Sequence, residues 1–132
     1  MRDDRMLARG NYVLLRAGGL RLLLPQEDVG AAFHVGESSG IELAALSDRM
    51  QRLPACPADR FVAASLRGDE GTLWAWNELR VLIAFDLELH ALPPSLCDAG
   101  SVLRHYALID GEMAFAVRAD AVLAFAEAAH AA

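Results

Sequence analysis

His34, His90, His105 and His130 could bind a metal or move a proton, and Cys56 and Cys97 could serve as thiol nucleophiles or ligands. Their spacing argues against both roles. The histidines are scattered, with no i, i+4 pair to put two rings on one helical face, and the cysteines show no CxxC arrangement. Cys56 sits in "PACPAD", where no partner base can be named. "RAGGLR" (16–21) has glycines but no phosphate-cradling pattern, so Gly18 and Gly19 read as residues that let a hairpin reach positive φ. Asp110-Gly111 is a turn by the same reasoning. The residue types therefore predict a non-enzymatic protein without metal or cofactor.

The remaining side chains with recognition chemistry are one arginine and two tryptophans. Arg67 reads either as a partner-contacting residue, because its planar fork suits carboxylates, or as an exposed residue entering a tight turn. Trp74 and Trp76 alternate with Leu73 and Ala75, so both indoles lie on one face of a strand. Two such rings form a core lid by first reading and a binding hot spot by second.

Short strands must position these residues. Residues 12–16 and 20–24 flank Ala17-Gly18-Gly19 as a hairpin, and Pro25 ends the second run. A third strand is expected at 31–35. In 39–53, Ser39 and Glu42 have capping-box spacing, and Leu43, Leu46, Met50 and Leu53 share a helical face, which predicts a helix that stops before Pro54. "FVAASLRG" and "TLWAWNELRVLI" flank Gly68–Gly71 as another hairpin. Segment 78–92 suits a helical turn or two before Pro93-Pro94, which opens the linker "LPPSLCDAGS". Strands at 102–109 and 112–117 then flank Asp110-Gly111.

The last of these hairpins repeats the first. "NYVLLRAGGLRLLLPQEDVGAAF" (11–33) and "HYALIDGEMAFAVRADAVLAF" (105–125) both run from a polar residue and Tyr through apolar residues to a glycine turn. Each returns to an acid near a Val (Asp28-Val29, Asp120-Ala121-Val122) and a Phe. The repeat predicts two small β-barrels, each opened by one hairpin.

Composition sets the outer bounds. With 132 residues the chain suits one domain, and an apolar share of 55% implies a double core or apolar surface kept for a partner. The net charge of −6 and the absence of a basic patch exclude nucleic acid as a natural partner. No apolar run approaches about 18 residues, so no membrane insertion is expected, and "MRDDRMLARG" has no apolar region of a signal peptide. With both cysteines read as free thiols, a cytoplasmic protein is expected.

These strands and motifs resemble the CheW-like domain, the adaptor module of bacterial chemosensory signalling. The resemblance covers about residues 11–127. Within "FVAASLRGDEGTLWAWNELR" (61–80), Ser65-Leu66-Arg67-Gly68 is similar to the family's Asn-Leu-Arg-Gly, and Glu78-Leu79-Arg80 to its Asp-Leu-Arg. The fold implied is mainly β with short helices, a CheW-like pair of SH3-like barrels. One barrel would occupy about 11–92, with a helix inserted near 39–53, and an incomplete second one about 101–127. Residues 36–52 look like an insertion, and the family's final strands and C-terminal helix have no counterpart, so the Ala-rich 126–132 would leave a barrel edge uncovered.

The function implied is a non-catalytic adaptor that binds a histidine kinase's regulatory domain, a chemoreceptor or another CheW-like protein. Partner contact would fall on Ser65, Leu66, Arg67 and Gly68, on Val29 and Ala31 after the acidic turn, and on Trp74 and Trp76. Ala31 stands where the family often carries a contacting Glu. The alternatives are a self-associating scaffold, dimeric through the open second barrel, and a small-ligand-binding β-barrel using Trp74 and Trp76.

Overall fold

A computed structural model describes residues 5–37, 42–93 and 103–131. Among the described residues, nine strands and one α-helix follow in order. They are β1 (Arg5–Ala17), β2 (Leu20–Pro25), β3 (Phe33–His34), β4 (Ala44–Ala45), β5 (Val62–Leu66), β6 (Asp69–Trp76), β7 (Glu78–Ala91), β8 (His105–Ile109), β9 (Glu112–Ala116) and α1 (Ala119–Ala131). The architecture is mainly β, as the strand signals imply, with a closed five-stranded barrel in the order β1-β2-β9-β8-β7. A four-stranded sheet, β3-β5-β6-β4, forms a second layer.

The β1–β2 hairpin organises both layers. Its two-residue turn at Gly18-Gly19 puts Gly18 at φ 60°, where a side chain would be strained. Strand alternation then sends Leu14 and its cross-strand partner Leu23 into the barrel, beside Leu87, Ala107, Ile109 and Ala114. The intervening residues Val13, Leu15, Leu22 and Leu24 point the other way. There they meet Leu66, Trp74 and Trp76 from the second sheet and Val122 and Ala126 from α1. The high apolar content is thus spent on two cores that share one hairpin.

The repeat has a different outcome from the one expected. Both hairpins belong to a single barrel, joined by parallel pairing of β2 with β9 at Leu22–Phe115 and Leu23–Ala116. The other edge of the second hairpin meets β7 at His90–Tyr106 and Ala91–His105. Residues 11–92 and 101–127 are therefore not separate barrels, and β8–β9 is not an open half-barrel awaiting a mate. The physical reason is that neither hairpin can close a barrel alone, whereas both together with β7 bury Leu14, Leu23, Ile109 and Ala114 at once.

Four further expectations are corrected. The helix at 39–53 does not form over its described part. Ala44 and Ala45 pair in parallel with Trp74 and Ala75, and Leu46 bridges to Arg52. Ser47 makes a turn instead of a cap, its hydroxyl accepting the N–H groups of Arg49 and Gln51 at 3.2 Å each. Leu46 and Met50, which would share a helical face, are both buried by this turn, with Met50 at φ 62°. Ser39, the expected cap, lies outside the described residues.

Segment 78–92 is the long strand β7, in an antiparallel ladder with β1 from Arg16–Glu78 to Arg5–His90. A register shift near Gly10/Tyr12 explains the misleading pattern. Ala84 takes φ 49° there, with its N–H bonded to the Asn11 side chain at 2.9 Å. Across this bulge the facing inverts: Val81 and Ile83 are exposed, whereas Phe85, Leu87 and Leu89 face the barrel core. The run then looks apolar on all sides.

Finally, the Ala-rich end is no bare tail. It forms α1, whose Ala119, Val122 and Ala126 are buried against the sheet core. The third strand is shorter than expected, Phe33–His34, and turns at once into a 3-10 turn at Val35–Glu37. No helix among the described residues is long and apolar enough to cross a membrane.

The doubly buried hairpin carries a prediction. Leu14→Ala and Leu22→Ala each empty one of two cores and should each cost about 2–5 kcal/mol in urea unfolding. Ile83→Ala, on the exposed side of the bulge, should change stability by less than about 0.5 kcal/mol.

Candidate functional site

A buried acid draws most of the expected contact residues together. Pro25 ends β2, and Gln26–Asp28 form a 3-10 turn that carries Asp28 inward, to 2% exposure. Its carboxylate accepts hydrogen bonds from Arg118 Nε (3.0 Å), Arg118 Nη2 (3.2 Å) and the Ala119 N–H (2.9 Å). The last of these ties the start of α1 to a residue 91 positions earlier, and a negative group there also suits the helix dipole. Burying this charge is tolerable because three hydrogen bonds, two of them from the cationic Arg118 guanidinium, replace its water.

The Asp28 backbone extends the joint toward the β5–β6 turn. Its carbonyl accepts the Arg67 N–H at 2.8 Å, Val29 bridges Leu66, and the Gly30 N–H donates to the Ser65 carbonyl at 2.9 Å. A Cβ at position 30 would meet the Ser65 hydroxyl, which would have to rotate away. The turn itself is tighter than the glycines at 68 and 71 suggest. Leu66 pairs with Asp69, leaving only Arg67-Gly68 at the tip, with Gly68 at φ 103°.

The structure therefore gathers Val29, Ser65, Leu66, Arg67 and Gly68 around one joint, with exposed Ala31 just beyond it. Their exposures divide them. Leu66 is fully buried and serves the core. Arg67 and Gly68 are exposed and, with Asp28, Arg118, Ala119 and Asp120, line a cleft of about 240 Å³. The Arg67 guanidinium makes no hydrogen bond or salt bridge with the described residues, and its charge acts on Glu70 from a distance. That leaves a cation whose backbone is held by Asp28 and whose side chain is free to meet an anionic group.

Trp74 and Trp76 are corrected as contact residues. They are 2% and 0% exposed and belong to the sheet core, beneath α1 and the β1–β2 hairpin. Their indole N–H groups have no acceptor, and the Arg52 guanidinium covers the Trp74 ring at 5.6 Å. Both rings lie in the sheet core rather than the barrel interior, and Trp74 also lines a cleft with Arg52, Asp69 and Leu123.

The other reactive side chains do not converge. His90 stacks on Tyr106 across the β7–β8 seam with ring centroids 5.1 Å apart. Cys56 is half-buried and burial pushes its thiol up, the opposite of an activated nucleophile. Cys97 lies outside the described residues. Among the described residues no group of three or more His, Cys, Asp or Glu could hold a metal ion.

Asp28 and Arg118 were not singled out from residue type. A partial signal exists: Asp28 is the acid that recurs in the second copy as Asp120, whose side chain accepts the next N–H, Ala121, at 2.8 Å in the first turn of α1. Nothing local marks Arg118. Compared with protein-family models and with curated proteins, the sequence matches none.

Two predictions test this joint. Asp28→Asn keeps the shape but removes the charge, and should cost about 1–3 kcal/mol in urea unfolding, with faster amide exchange at the start of α1. At the turn, the Gly68 N–H donates to the Glu70 carboxylate at 3.1 Å and holds that carboxyl below the usual range. A lowered folded-state pKa means the bond is present at neutral pH and lost as pH falls through it. The Gly68 amide resonance should therefore titrate below the ordinary value of about 4.3, and the step should vanish in Glu70→Gln.

Proposed function

We propose that this chain is a non-catalytic adaptor of chemotaxis-type signalling, similar in role to the CheW-like family. Its partner would be a histidine kinase's regulatory domain, a chemoreceptor or another CheW-like protein, and its place of action the cytoplasm. The observation that carries this reading is the unpaired Arg67 guanidinium at the rim of the Asp28–Arg118 cleft. It stands in Ser65-Leu66-Arg67-Gly68, the motif whose resemblance implies partner contact.

The mechanism needs no chemistry. A carboxylate on the partner meets Arg67, and exposed Gly68 and Ala31 leave room for the partner's backbone to approach. Val29 and Leu66 hold the loop in register from below. Because Asp28 also holds Arg118 and the start of α1, a partner on the cleft acts on three elements at once. Signal would pass as a change in the partner's conformational populations.

Self-association is the second reading. Leu108 and Met113 are cross-strand partners on the outer face of β8–β9, 57% and 40% exposed, and a second copy could cover them.

The test is affinity capture from the native host with wild-type and Arg67→Glu chains, the retained proteins identified by mass spectrometry. An identified kinase, receptor or second adaptor, bound at least about tenfold more weakly by the charge-reversed chain, supports the first reading. Recovery of the chain alone, unchanged by Arg67→Glu, overturns it and favours self-association.

A further inference from the structure

A second cleft opens at the end of the barrel, on the other side of Arg118. Its walls include Leu23, Leu87, Leu89, Ala116 and Val117, and its volume is about 210 Å³. Leu23 and Leu87 also belong to the barrel core, so the cleft is continuous with a packed apolar interior. A dry apolar void of about 150 Å³ is enough to admit benzene, so this one has room for a single ring with a short side chain.

Two hydrogen-bond donors stand on the same cleft. Tyr12 lines it, and the phenol has no hydrogen-bond partner among the described residues. Arg118 lines it as well. Asp28 takes its Nε and Nη2, and Glu27 lies 3.7 Å from Nη2, while Nη1 has no partner among the described residues. The guanidinium is thus held rigidly by one edge with donors left over on the other. A mostly apolar cleft with a phenol and a guanidinium among its lining residues suits an apolar body bearing an acceptor head.

We infer that this barrel-mouth cleft binds a small monocarboxylic acid with a single ring or a branched alkyl body. The body fills the space between β2, β7 and β9, and the carboxylate accepts hydrogen bonds from Tyr12 Oη and Arg118 Nη1. Asp28 and Glu27 already balance much of the arginine's charge, which keeps binding weak and reversible. The inference does not rest on the adaptor reading, since it does not use Arg67, although Arg118 lines both clefts.

The test is a heteronuclear NMR titration of the whole chain with 3-phenylpropanoate, with 3-phenylpropanol and acetate as controls. The expected result is a Kd of about a millimolar for the acid, with shifts centred on Tyr12, Leu23, Leu87, Ala116 and Val117. The alcohol should bind about fivefold more weakly, acetate should shift nothing there, and Tyr12→Phe should weaken the acid by a similar factor. Ala116→Phe fills the cavity and should abolish the shifts in a chain that keeps its native spectrum. Leu89→Trp fills it from the opposite strand if the first variant does not fold. No shifts at about 20 mM acid, equal binding of acid and alcohol, or shifts that survive the filled cavity would each overturn the site.

Discussion

The β1–β2 hairpin has no face left for water, and most of the molecule follows from that. One face, with Leu14 and Leu23, must be covered by a barrel interior; the other, with Val13, Leu15, Leu22 and Leu24, must be covered by something else. The barrel is completed by β7, β8 and β9, and the other covering is the second sheet with α1. A hairpin alone is barely stable in water, so each layer depends on this shared element as much as the element depends on the layers.

The layers still need a fastening where they meet, and a buried carboxylate supplies it. Asp28 links the end of β2, the β5–β6 turn and the start of α1 through its side chain and its carbonyl. Arg60 plays a comparable part on the far side of the second sheet. It is 6% exposed and donates to the carbonyls of Leu46 at 2.8 Å and Ala75 at 3.2 Å, closing the turn after β4 onto β6. Both are charged groups inside the fold, and both are kept there by hydrogen bonds that water would otherwise make. Several surface arginines are paired as well, Arg80 with Asp110 and Arg16 with Glu78 among them. The Arg67 guanidinium has no partner among the described residues, which is why the proposed recognition falls on it.

The strand ladders are unequal, and this bears on what can move. β1 and β7 are joined along nearly their whole length, whereas β8–β9 touches β7 and β2 through two register pairs each. The Arg80–Asp110 ion pair at 2.6 Å and the packing of Ile109 and Ala114 hold the second hairpin beyond these seams. Local opening free energies follow such differences in pairing and burial, so this hairpin is the part of the barrel where opening is least costly. The barrel-mouth cleft lies at one of those seams, between β2 and β9.

Local patterns in the sequence determined a good deal. Gly18-Gly19 and Asp110-Gly111 mark turns whatever surrounds them, because few residues tolerate the required φ, and both hairpins stand where those turns put them. Alternation around Trp74 and Trp76 likewise reported a strand with a buried face. The motif at 65–68 marked a turn whose arginine is exposed. What could not be read there was set by partners distant in the chain. Residues 42–53 and 78–91 carry apolar spacings that suit a helix, and only pairing with β6 and β1 makes them a two-residue strand with a turn and a long strand instead. The repeat announced two hairpins but not that they share one barrel, since closure depends on which edges meet. Asp28 and Arg118 look like ordinary surface residues until folding brings them together across 90 positions and removes the water between them. Turn geometry is a property of two or three residues, whereas burial of a charge and pairing of an edge belong to the whole chain.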